Sequence, residues 1–131
     1  MRNMMLTLLL VLSTATMAQT GLRQEHYANG RVKSTRYVVQ GREYVFNYHA
    51  SGHLSSSCEY LNGQRDGLWK DYDEQGVLLV QACFDRGHRC GTWEFFASNG
   101  ALRGRLSYDQ GALASGEAYS ADGALFATRD Y

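Results

Sequence analysis

The chain has 131 residues, 44% of them hydrophobic, and its 13 basic and 13 acidic side chains balance to zero formal charge. That balance leaves no electrostatic footprint for nucleic acid and no basic patch for anionic lipid. Fourteen glycines, nine tyrosines and no proline suit a meander of short strands joined by glycine turns.

The chain opens with Arg2, an apolar run from Met4 to Leu12, and small residues ending Thr16-Met17-Ala18. A basic start, a short hydrophobic stretch and a small-residue cleavage site predict a secretory signal peptide over residues 1–18. The run falls well short of the roughly 20 apolar residues that a membrane-spanning helix needs. The expected mature chain begins near Gln19, is secreted or periplasmic, and forms one domain over residues 19–131. Losing Arg2 moves the net charge to about −1.

From Tyr27 onward the sequence repeats with a period of about 24 residues. Tyr48, Tyr72, Phe96 and Tyr119 each stand four residues before Gly52, Gly76, Gly100 and Gly123. Leu54, Leu78, Leu102 and Leu125 follow two residues beyond those glycines. A second series, Gly63, Gly87 and Gly111, is preceded by Tyr60, Phe84 and Tyr108, while Gly67 with Gly91 and Trp69 with Trp93 keep the same step. The units read as residues 27–45, 46–69, 70–93, 94–116 and 117–131, the first and last being the least regular, as ends of a stack are.

Each unit reads as strand, turn, strand, turn. Asn29-Gly30, Asn62-Gly63, Asn99-Gly100 and Asp122-Gly123 are strong hairpin signals. Alternation puts Tyr44, Phe46 and Tyr48 on one face of a strand, and Trp93 with Phe95 on a face opposite Thr92 and Glu94. The predicted fold is all-β, an elongated antiparallel sheet of repeated hairpins whose neighbours bury one another's aromatics. Tyr48, Tyr72, Phe96 and Tyr119, in register, are expected to form a ladder together with Trp69 and Trp93, as the core between hairpins or as an exposed stripe for a partner.

Three cysteines occupy a compartment that permits disulfides. Cys83 and Cys90 flank Arg86-Gly87 symmetrically, so a two-residue turn there would set their sulfurs face to face. A cross-strand disulfide is the expectation, with three reduced thiols as the competing reading. Cys58 would then be a small buried apolar residue.

Tyr72-Asp73-Glu74-Gln75-Gly76-Val77-Leu78 and Tyr60-Leu61-Asn62-Gly63-Gln64-Arg65-Asp66-Gly67-Leu68-Trp69 resemble the bacterial MORN-variant repeat, of general form Y-x-x-x-G-x-L then Y-x-x-G-x-x-x-G-x-W. Phe96 to Leu102 with Phe84 to Trp93 repeats the match, and Tyr119 to Leu125 matches in part. The resemblance implies lipid-surface recognition or scaffolding, with no fixed catalytic residue, and relatives of this type are often labelled antitoxins. Two positions depart from the pattern: Val45 stands where Trp69 and Trp93 recur, and Ser115 where Gly67 and Gly91 recur. An exported protein would meet no cytoplasmic toxin, which leaves an immunity-type role in the periplasm.

Catalytic and ligand motifs are weak. His49, His53 and Cys58 lack paired metal-ligand spacing. Asp71, Asp73 and Glu74 lack the spaced oxygens of a calcium loop. Ser55, Ser56 and Ser57 near His53 form no nucleophile elbow, and Cys58 beside Glu59 is no activated dyad. The chain is read as no enzyme, with no cofactor and no metal. A protein partner bound along one face of the sheet is expected, with a phospholipid or cell-wall glycan surface as the alternative. Arg65, Lys70, Arg86, His88, Arg89, Arg103 and Arg105, outside the repeat pattern, are the candidates for specificity.

Overall fold

A computed structural model of the chain describes residues 21–131. The expected signal peptide and the start near Gln19 lie outside the described residues. Among the described residues ten strands follow one another: β1 (Arg23–His26), β2 (Val32–Val39), β3 (Arg42–Tyr48), β4 (Leu54–Leu61) and β5 (Gln64–Tyr72). Then come β6 (Leu78–Asp85), β7 (His88–Phe96), β8 (Leu102–Asp109), β9 (Ala112–Tyr119) and β10 (Leu125–Asp130). They form one antiparallel sheet in chain order, all hairpins, the all-strand repeat architecture that the period predicts.

Two kinds of turn alternate. At one end of the strands, Gln40-Gly41, Asn62-Gly63, Arg86-Gly87 and Gln110-Gly111 are two-residue turns with positive φ at both positions, as at Asn62 (50°) and Gly63 (77°). That is the type I′ geometry, whose twist matches the strands it joins. At the other end, Tyr27–Gly30, His49–Gly52, Asp73–Gly76, Ala97–Gly100 and Ser120–Gly123 are four-residue turns. In each, the glycine amide donates to the carbonyl of the first residue, and only the glycine has positive φ. Of the predicted hairpin dipeptides, Asn62-Gly63 is therefore a complete turn. Asn29-Gly30, Asn99-Gly100 and Asp122-Gly123 close longer ones, and Asn99 Oδ1 accepts a 3.0 Å bond from the Ala101 amide.

The ladders are interrupted at repeating places. One residue after each four-residue turn stays unpaired: Lys33, Ser55, Leu79, Arg103 and Phe126. A second interruption falls near Gly67, where the pairing passes from Tyr60↔Arg65 to Cys58↔Trp69. The same step recurs near Gly91, between Cys83↔Cys90 and Gln81↔Glu94. Bulges of this kind bend the strand and raise its twist. The departures in sequence are departures in geometry: β2 and β3, where Val45 replaces tryptophan, pair without any shift. β8 and β9, where Ser115 replaces glycine, shift at a different place, between Ser107 and Tyr108.

The sheet is one layer, so little is fully enclosed. Among the described residues, Val45 (2% exposed), Cys58 (4%), Ala82 (3%) and Phe84 (8%) are the buried apolar ones, with Ser34 the buried polar one. Register places Val45, Cys58, Trp69 and Ala82 side by side across β3 to β6, and Trp93 opposite Leu106 continues the row. This front face holds the core. The back face carries Phe46, Ser57, Lys70 and Gln81 across the same strands, then Glu94, Arg105 and Glu117.

Candidate binding face

On the front face, aromatic rings from neighbouring strands interlock. Trp69 meets Phe84 edge-on at 6.0 Å between centroids, Phe84 meets Trp93 at 5.2 Å, and Trp93 meets Tyr108 at 5.3 Å. Edge-to-face packing at this range is attractive beyond simple burial. The Trp69 indole donates to Asp71 Oδ1 at 3.0 Å and the Trp93 indole to the Cys83 carbonyl at 3.1 Å, so both rings are fixed. Apart from Phe84 these rings are only half-buried, because no second layer covers them.

Two arginines lie on this ladder. The Arg65 guanidinium is 4.6 Å from the Trp69 centroid and 5.2 Å from that of Phe84. Arg89 stands 5.4 Å from Trp93 and 5.6 Å from Tyr108. Both side chains are exposed, and among the described residues neither forms a salt bridge. A cavity of about 200 Å³, lined by Arg65, Trp69, Val80, Phe84 and Trp93 among others, opens on the same face. Beside Trp69 in the neighbouring strand, burial pushes the Cys58 thiol up, against a hydrogen bond to Tyr60 and the fields of Arg36 and Arg65.

The back-face arginines differ. Arg105 reaches Glu94 at 3.1 Å and Glu117 at 3.8 Å, and the Glu94 bond leads in raising its pKa. Arg42 donates to Glu59 at 3.3 Å, to the Asp66 carboxylate at 2.8 Å and to the Asp66 carbonyl at 2.6 Å. The Arg86 amide bonds Asp66 Oδ2 at 3.0 Å; that bond first and Arg42 second hold the Asp66 carboxyl below its usual range.

The expected ladder of Tyr48, Tyr72, Phe96 and Tyr119 with Trp69 and Trp93 is not what the structure contains. Trp69 and Tyr72 are three residues apart in one strand, and an odd spacing puts them on opposite faces. Trp93 and Phe96 are separated in the same way. Residues one period apart also sit two strands apart, roughly 9.5 Å, beyond ring contact. The observed ladder interleaves Trp69 and Trp93 with Phe84 and Tyr108, the aromatics of the second glycine series. On the back, Tyr37 stacks on Tyr44 (5.3 Å) and Phe46 (5.9 Å), while Tyr48 stays outside that stack. Tyr119 donates instead to Glu117 at 2.6 Å, and Tyr60 approaches the Cys58 sulfur at 4.0 Å.

The remaining candidates disperse. Cys83 and Cys90 are joined by a disulfide on the back face, and Cys58 is a free buried thiol. His49 Nε2 donates to the Tyr72 carbonyl at 3.0 Å and His53 Nδ1 to that of Glu74, so each histidine ties one four-residue turn to the next. Neither converges on Cys58, and Asp73 spends its carboxylate on the Gln75 and Val77 amides. Arg86 pairs with Asp85, Lys70 lies on the back face, and Arg103 is a bulge residue. His88, Arg89 and Tyr108 border an open cavity of about 730 Å³ beside the two-residue turns. Arg42 and Asp66 escaped the sequence reading, because they stand 24 residues apart at a repeat position whose residue type is not kept, Cys90 being the next. The step of 24 residues from Arg65 to Arg89 was there to be read.

A single-layer sheet of repeated hairpins, with a half-exposed aromatic and basic stripe on one face, defines a repeat-type binding module. Within it, residues 65–86 and 89–110 match the MORN repeat variant, and the chain carries at least these two adjacent repeats of that type. Repeats of this class make membrane- or protein-binding modules and are typically non-catalytic. No curated protein matches the chain significantly. Among solved structures, an S. aureus TarM mutant complexed with fondaparinux, alpha-GlcNAc-glycerol and UDP is similar at 7% identity and a TM-score of 0.49, over 72% of this chain and 19% of that one. A second TarM structure stands at 8% and 0.47, over 67% and 18%. The chain thus spans less than a fifth of either TarM chain. Among the described residues no helix is long and apolar enough to cross a membrane.

Proposed function

We propose that this protein is an exported, non-catalytic module that binds a partner protein along the front face of its sheet, as a scaffold or an immunity-like inhibitor. The observation that carries the reading is the half-exposed ladder of Trp69, Trp93 and Tyr108 beneath Arg65 and Arg89. Tryptophan, tyrosine and arginine are the residues that dominate binding energy at protein interfaces. Export is supported by the N-terminal pattern of Arg2, the Met4–Leu12 run and Ala18, and by the Cys83–Cys90 bond, which persists in oxidising compartments.

The test is a pull-down from an extract of the native cells with three baits: the wild-type protein, Trp69→Ala and Arg105→Ala. A stoichiometric protein retained by wild type and Arg105→Ala but lost by Trp69→Ala supports the front face. Retention by Trp69→Ala together with loss by Arg105→Ala refutes it. Recovery of lipid or cell-wall glycan without protein replaces this reading with attachment to an envelope surface.

A further inference from the structure

Resting on that reading, we infer that the front face takes an extended acidic segment of the partner, laid across the strands, with carboxylates three residues apart held by Arg65 and Arg89. Charge separates the arginines of the two faces. Arg42 and Arg105 are satisfied by acids of their own chain, whereas Arg65 and Arg89 lie over rings and, among the described residues, form no salt bridge. A guanidinium stacked on a ring keeps its in-plane donors free for a carboxylate. Of the nearby front-face acids, Asp71 is engaged by the Trp69 indole and Glu43 by Arg36.

Spacing supplies the second half. Arg65 is the second residue of β5 and Arg89 the second of β7, so their attachment points are two strand spacings apart, roughly 9.5 Å. An extended polyproline II chain returns to the same face every three residues, about 9.3 Å along. Such segments dock on aromatic-lined grooves, and the tilted rings from Trp69 to Tyr108 run in the direction that joins the two arginines. A lipid surface fits less well, since electrostatic attachment there draws on clusters of about four to eight basic side chains.

The test titrates the protein with a synthetic peptide of repeating Glu-Pro-Ala triplets and with its Gln-Pro-Ala counterpart, read by tryptophan fluorescence. The Glu peptide is expected to change the emission of Trp69 and Trp93 and to bind more weakly as salt is raised, with the Gln peptide about tenfold weaker. Arg65→Gln and Arg89→Gln each weaken the Glu peptide about fivefold, and Arg105→Gln leaves it unchanged. Equal affinity for the two peptides, no binding of the Glu peptide, or equal loss with Arg105→Gln overturns the inference. Vesicles of phosphatidylserine and phosphatidylcholine form a further arm. Binding there that Arg65→Gln abolishes, without peptide binding, would assign the arginines to lipid phosphate. If the peptides fail while the pull-down partner is still lost by Trp69→Ala, the acidic segment is wrong and the binding face stands. If that partner ignores Trp69→Ala, the face itself is wrong.

Discussion

Replacing Phe84 with alanine tests where the core lies. Phe84 is 8% exposed, wedged between Trp69 and Trp93 at 6.0 and 5.2 Å. Burying a ring of about 200 Å² at about 25 cal/mol per Å² sets an upper limit near 5 kcal/mol. Measured losses for buried phenylalanine run about 3–5 kcal/mol. The lower end applies here, because the face is open and water can enter the space left behind, which removes much of the cavity penalty. Phe84→Ala should therefore cost about 3 kcal/mol, a large share of the roughly 5–15 kcal/mol typical of a small domain. Leu68, next to Trp69 but on the back face and 49% exposed, should cost less than about 1 kcal/mol as Leu68→Ala. Urea unfolding followed by tryptophan fluorescence, with the disulfide intact, measures both. A loss below about 1 kcal/mol for Phe84→Ala, or an equal loss for Leu68→Ala, refutes the one-sided core.

Three further outcomes follow from local features of the sheet. A Cβ at residue 67 would collide with the Glu59 carboxylate at a φ of 108°, so Gly67→Ala should lower stability by about 2 kcal/mol in the same assay. The double substitution Cys83→Ser with Cys90→Ser reopens a loop of sequence separation 7 and should cost about 2.5 kcal/mol. Asp66 has a depressed folded-state pKa, so its contribution is present above the ordinary carboxylate range near 4 and fades as pH falls through the folded value. Urea midpoints taken from about pH 5 down to about pH 2 should fall less steeply in Asp66→Asn than in wild type; identical slopes would contradict this.

The architecture was legible because the repeat is carried by residues with backbone consequences. The Tyr-to-Gly and Gly-to-Leu spacings mark the four-residue turns, and the symmetry of Cys83 and Cys90 about Arg86-Gly87 marks a two-residue one. Face assignment was harder. A 24-residue step shows that Trp69 and Trp93 are equivalent, and likewise Tyr72 and Phe96, but only strand parity shows that the two sets point apart. The bulges at Gly67 and Gly91 were equally hidden, since an insertion repeated one period later leaves the spacing of the units unchanged. Val45 and Ser115 did signal units built differently, and the ladders change at those units. The binding face was legible in its parts, Arg65, Arg89 and the tryptophans. Their union required the knowledge that Phe84 and Tyr108 fill the gaps between alternate strands.

The two tryptophans of the chain make the most direct test, because both indoles lie on the front face. In a nitrogen–proton correlation spectrum they give two side-chain signals, to be followed while the partner recovered by the pull-down is added. With the partner on the front face, both indole signals should move or broaden as the complex forms. Two stationary indole signals in a saturated complex would place the partner elsewhere and contradict the front-face reading.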